Sequence, residues 1–153
     1  MKKLTFLLLL IPVLTFGQYI PEKRYRIQIP EPVKVIGLYT ASVVLEAIGD
    51  GLYDDGQKQL GKSLQAVSLG MLLVSPAVLD MDRDNFWWYL VSYVSLRIGL
   101  FDYTYNVTRG LPLDYIGDSS YTDKVLQEFN PPHQLMVRGV FFTLGIVIPI
   151  NEL

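Results

Sequence analysis

Residues 63–79 read SLQAVSLGMLLVSPAVL, a run without a single charge. A buried strand usually takes ~4 to 8 residues and a half-exposed one alternates, so this unbroken apolar stretch reads as a helix. Three more stretches share its character. Val33–Gly49 carries only Lys34 near its start and Glu46 near its end; Asn85 to about Phe101 and onward is interrupted by Arg97, and Leu135–Ile150 by Arg138. Each lies near the lower end of the ~17 to 25 residues that cross a bilayer's hydrocarbon core. The expected fold is therefore all-α, a small transmembrane four-helix bundle.

Composition agrees with this class. Of the 153 residues 50% are hydrophobic and 18% charged, below the roughly 25% charge of ordinary soluble chains. The absence of cysteine excludes disulfides, thiolate nucleophiles and Cys-ligated metals. A net charge of −2 offers no footprint for nucleic acid. Aromatic placement favours lipid over a soluble core: Trp87, Trp88 and Tyr89 stand at one end of the third stretch, Tyr103 and Tyr105 at the other. At 1.5 Å per residue they are about 24 Å apart, resembling two interfacial belts.

Upstream, Lys2 and Lys3 precede an apolar run from Leu4 to Phe16 and the small residue Gly17, the pattern of a secretory signal peptide. Cleavage after Gly17 removes two lysines and no acid, shifting the formal charge from −2 to −4. Residues 18–32, with Pro21, Pro30, Pro32 and the basic Lys23, Arg24 and Arg26, are expected to form an extended polar tail. The domain organisation is thus a signal peptide at 1–17, the tail at 18–32 and a four-helix membrane domain at 33–153. Insertion proceeds through the secretory pathway, into the inner rather than the outer membrane. The positive-inside rule gives no orientation, because the two sides carry similar numbers of Lys and Arg.

The connections differ in length. Gly49, Gly51, Gly56 and Gly61 punctuate the first and are expected to end the first helix. Asp80–Asp84 is short enough to predict that the second and third helices are antiparallel neighbours. Arg109–Pro132 is the one connection long enough to hold a site, and it carries the loop candidates Asn106, on its approach, Asp118, Asp123 and His133.

Charges inside apolar stretches are costly and call for partners, at least about 2.5 to 3.5 kcal/mol each on insertion scales. Glu46, Asp50 and Asp54 recur every fourth residue and, if the first helix continues through Gly51, share one face of it; Glu46 or Asp50 is expected to pair with Arg97 or Arg138. Glu46, Asp50, Arg97, Asp102 and Arg138 form the candidate polar cluster. It serves either as a latch between helices or as a headgroup or ion site. Tyr89, Tyr93, Arg97, Phe101, Tyr105 and Arg109 make a second stripe, suited to helix packing and to cation–π contact.

Catalytic motifs fail on inspection. Asp80, Asp82 and Asp84 open like an EF-hand loop, but its sixth position is Asn85 and its twelfth Val91. Gly117-Asp118-Ser119 resembles the Gly-Asp-Ser block of the GDSL hydrolases over those residues alone. In that family an Asp precedes the histidine, where Asn130 stands before His133, and the strand–helix alternation of an α/β domain is missing. A turn with Asp118 or Ser119 capping a short helix at Tyr121–Phe129 is the simpler reading. One histidine cannot build a His-rich metal site, and no metal or other cofactor is expected. Asn106-Val107-Thr108 spells a glycosylation site that a continuing helix would hide.

The expected function is structural or accessory, in a bacterial-type cell envelope and without catalysis, with membrane lipid and another envelope protein as partners and no nucleic acid. The rival is a membrane-embedded enzyme or lipid-headgroup-binding protein using the Arg/carboxylate cluster, and the third is an ion or proton conduit. The leader has a direct check: mass measurement of the exported product should find a chain starting at Gln18, and a mass including Met1 would exclude cleavage.

Overall fold

A computed structural model describes residues 29–79, 81–117 and 121–153, with only the backbone described at 121–123. The signal peptide and most of the polar tail lie outside these residues. Among the described residues five helices follow one another: α1 (Glu31–Asp54), α2 (Lys58–Val78), α3 (Phe86–Arg109), the short α4 (Tyr121–Gln127) and α5 (Pro131–Glu152). There is no strand among the described residues. The four long helices pack as a bundle.

Every long helix outruns its apolar stretch. Helix α1 begins two residues before Val33 because Pro32 sits in its first turn, where a missing N–H costs nothing, so Glu31 and Pro32, expected in the tail, are helical. It also continues through Gly49 and Gly51 to Asp54, and the turn falls instead at Gly56 with φ +89°. Gly49 and Gly51 are packing positions. A Cβ on Gly49 would lie 2.9 Å from the Gly61 carbonyl, and one on Gly51 2.8 Å from the Thr108 side chain. Helix α3 runs on past Phe101 to Arg109, where Gly110 at φ 64° supplies the left-handed cap. Helix α4 ends at Gln127, two residues short of Phe129.

The packing order is α2, α1, α3, α5. Helix α1 runs antiparallel to α2, with Ser42 against Ser68 and Asp50 against Gln65. It runs parallel to α3, with Tyr39 against Tyr93 and Asp54 against Tyr105. Helix α3 is antiparallel to α5, with Gly99 against Phe142 and Asp102 against Arg138. The expected α2–α3 packing does not form: both lean on α1, which stands between them. A short link brings two helix ends together and leaves their faces unconstrained. Here the close approach goes to the faces that carry glycine and serine.

Buried positions, most of them small residues, repeat at every seventh residue. Val35, Ser42 and Gly49 on α1, Gly61, Ser68 and Ser75 on α2, Ser92, Gly99 and Asn106 on α3, and Arg138 and Gly145 on α5 are all buried. Seven residues are close to two turns, so each series forms one seam. Hydrogen bonds join the seams. Ser68 donates to the Ser42 carbonyl at 2.9 Å and the two hydroxyls lie 2.9 Å apart.

Two prolines inside helices each free a carbonyl four residues earlier. Pro76 leaves the Leu72 carbonyl without its helical donor, and the Ser75 hydroxyl takes it at 2.8 Å. Pro149 does the same to Gly145, whose buried carbonyl accepts from Ser92 of α3 at 2.8 Å. A gap in one helix is thus closed by its neighbour. Ser92→Ala should therefore lose about 1–3 kcal/mol, the penalty for a buried unsatisfied carbonyl. The double variant Ser92→Ala/Pro149→Ala should recover most of it, because alanine in place of the proline restores the missing N–H. Unfolding midpoints of the four-member cycle measure this, and a Pro149→Ala background that leaves the Ser92→Ala loss undiminished would refute it.

Candidate functional site

The candidate charges separate into two clusters on opposite sides of α3. Between α1, α2 and α3, Arg97 donates to Glu46, and Gln65 donates to Asp50. One turn further, Asp54 accepts from the Tyr105 hydroxyl at 2.7 Å and lies 3.8 Å from Arg109. The every-fourth spacing of Glu46, Asp50 and Asp54 places all three acids along one side of α1, where Arg97, Tyr105 and Arg109 repeat with nearly the same period on parallel α3. The Arg97 guanidinium lies 4.6 Å from the Phe101 ring, within cation–π range.

Between α3 and α5, Arg138 donates to Asp102 at 2.7 Å. It is fully buried, 0% exposed, and its other contacts are the Leu113 carbonyl at 3.3 Å and the Tyr103 ring at 5.4 Å. Its Nε has no hydrogen-bond partner. Asn106, also buried, donates to the carbonyls of Tyr115 at 2.8 Å and Leu113 at 3.4 Å, tying the segment after α3 back over this pair.

Of the candidate residues, Glu46, Asp50 and Arg97 thus meet in one place and Asp102, Arg138 and Asn106 in another. The expected partner of Arg138, an acid on α1, is replaced by Asp102 on the helix alongside. His133 is exposed in the first turn of α5, five residues before Arg138. Asp118 and the side chain of Asp123 lie outside the described residues, as does Asp80. Asp82 does not cap α3 itself; its carboxylate accepts from the N–H groups of Asp84 and Asn85 and shapes the turn before the helix. Among the described residues no group of acids and histidines is arranged to hold a metal ion.

The site residue missed from sequence is Gln65. A neutral amide in a charge-free run carries no warning, although its place one turn after Gly61 puts it beside the seam. With it comes a groove. Because α2 and α3 do not meet, a cleft floored by α1 opens between them in two lobes. The polar lobe, about 330 Å³, is lined by Glu46, Asp50, Gln65, Ser68, Leu72 and Tyr93, among others. The second, about 290 Å³, is largely apolar and includes Tyr39, Leu72, Pro76, Met81, Tyr89 and Tyr93. Leu72 and Tyr93 line both, so the two lobes adjoin.

No protein-family model, curated protein or solved structure matches the chain.

The two ion pairs should differ in weight. Asp102→Asn strands a fully buried guanidinium and should cost about 3–5 kcal/mol. Arg97, whose side chain is 39% exposed, can re-orient, and Glu46→Gln should cost less than Asp102→Asn. Denaturant titrations of the two variants decide, and equal losses would contradict the geometry.

Proposed function

We propose that the chain is a small exported integral membrane protein with a structural or accessory role in the cell envelope. The observation that carries this reading is the inverted distribution of side chains. Ser42, Ser68, Ser75, Ser92, Ser95, Asn106, Gln134 and Arg138 are buried, while Leu73 is 73% exposed, Met136 67% and Trp87 64%, with Leu69, Val74, Val91, Val140, Leu144 and Ile150 exposed as well. In water this arrangement wastes the hydrophobic effect; in lipid, small and polar residues join helices and large apolar ones face the acyl chains.

Two helices, Glu31–Asp54 and Pro131–Glu152, are long and apolar enough to cross a bilayer. Helices α2 and α3, of 21 and 24 residues, match them in length and present apolar outer faces. Trp87 and Trp88 are exposed at the start of α3, where an interfacial anchor belongs. Export rests on the signal pattern at Met1–Gly17. The accessory role rests on Arg97 and Arg138 each being tied directly to a carboxylate, which favours a latch.

Fractionation of cells expressing the full chain tests the reading. The protein should stay in the membrane pellet through alkaline carbonate and leave it only with detergent. Recovery in the carbonate supernatant would overturn it.

A further inference from the structure

We propose that the groove between α2 and α3 holds one lipid whose head carries a primary ammonium group, as in phosphatidylethanolamine; this rests on the membrane reading above. The argument begins with charge. Of the acids lining the groove, Glu46 is matched by Arg97, whereas Asp50 is held by the neutral amide of Gln65. None of the lining residues is a lysine or histidine. The polar lobe therefore carries one carboxylate more than its cations balance, in an environment that penalises unpaired charge. The ammonium of a zwitterionic head can lie against Asp50 and supply that charge locally, while the phosphate of the same head stays toward the end of the bundle. A primary ammonium can also donate hydrogen bonds to Asp50, which a trimethylammonium cannot.

Shape points to a lipid rather than a soluble amine. From Asp50 the groove leads along α1 to Tyr39, eleven residues and about 16 Å at 1.5 Å per residue. That stretch alone is close to half of the ~30 Å hydrocarbon core, the depth of one leaflet's acyl chains, and apolar lining continues beyond it to Phe86 and Met81. The direction agrees. Asp50 is one turn from Asp54, Arg109 and the exposed Asp55–Gln57 turn at the end of the bundle, where a headgroup layer would lie, and the apolar lobe points inward from it. Each lobe is near the lower end of the 300–1,000 Å³ usual for small-molecule sites, so together they accommodate a chain rather than a helix.

The test uses the full chain in vesicles of equal parts phosphatidylethanolamine, phosphatidylcholine and phosphatidylglycerol, extracted in mild detergent and analysed by native mass spectrometry. Wild type should retain one phosphatidylethanolamine in preference to the other two. Asp50→Asn and Leu72→Trp, the first removing the charge and the second filling the groove, should each retain at least tenfold less. Val140→Ala, on the exposed face of α5, should behave as wild type, and circular dichroism should give all four proteins the same helicity. Equal retention of the three lipids would overturn the proposal. So would an Asp50→Asn variant that keeps the preference, or a lipid-free dimer showing that a second copy fills the groove. In each case a carbonate-resistant protein leaves the membrane reading standing; loss of carbonate resistance removes both.

Discussion

Backbone proximity is the constraint from which the rest of the structure follows. Helices can approach as closely as α1 and α2 do at Gly49 and Gly61, or α3 and α5 at Gly99, only where side chains are absent or small; a Cβ on Gly99 would sit 2.6 Å from the Phe142 nitrogen. Small residues at every seventh position create such a line on α2 and most of it on α1 and α3, while α5 shares its line between Arg138 and Gly145, and each line commits its face to the interior. Many large apolar side chains are left to the outside, beside a small buried core of Val35, Tyr39, Leu79, Tyr89 and Leu96. Serine suits the seam because its hydroxyl is small enough to fit and can satisfy a neighbour's backbone, as Ser92 does for the carbonyl that Pro149 orphans. Packing and polar satisfaction are here one device.

The charged groups obey the same geometry. Arg138 lies in the seam of α5, so its guanidinium enters the interior completely and requires a partner there. Asp102 supplies the charge and the segment after α3 supplies a carbonyl, drawn in by Asn106. Arg97 lies beside the seam of α3 and keeps partial access to the surroundings. Its bond to Glu46 is correspondingly a surface-side latch between parallel helices. Two ion pairs of similar appearance in sequence thus hold different amounts of structure.

The groove is a by-product of how the seams are distributed. Helix α1 has enough small or complementary positions to take α2 on one side and α3 on the other, while Leu69 and Leu72 of α2 and Leu90 and Tyr93 of α3 line the space left between those two helices. The space between them is floored by α1, and the acid stripe of that helix gives one lobe its polarity. A site can arise in this way without any catalytic motif, and without the long connection that sequence reasoning favoured as its place.

Hydrophobic continuity, charge spacing and length by themselves determined that the chain is all-helical with four long helices, roughly where each lies, and that its internal charges need partners; these are local properties, and helix periodicity converts them directly into faces. The seventh-residue series of Gly and Ser was equally present in the sequence, but small residues also signal turns, and Gly49 and Gly51 read as a helix end until their neighbours were known. Only the tertiary structure decided that α1 separates α2 from α3, that Arg138 takes Asp102 in place of an acid on α1, that Gln65 holds Asp50, and that Ser92 answers Pro149. Each of those is a contact between helices distant in sequence, chosen by which faces pack most closely. One-dimensional spacing places residues on a face but cannot say which face it will meet.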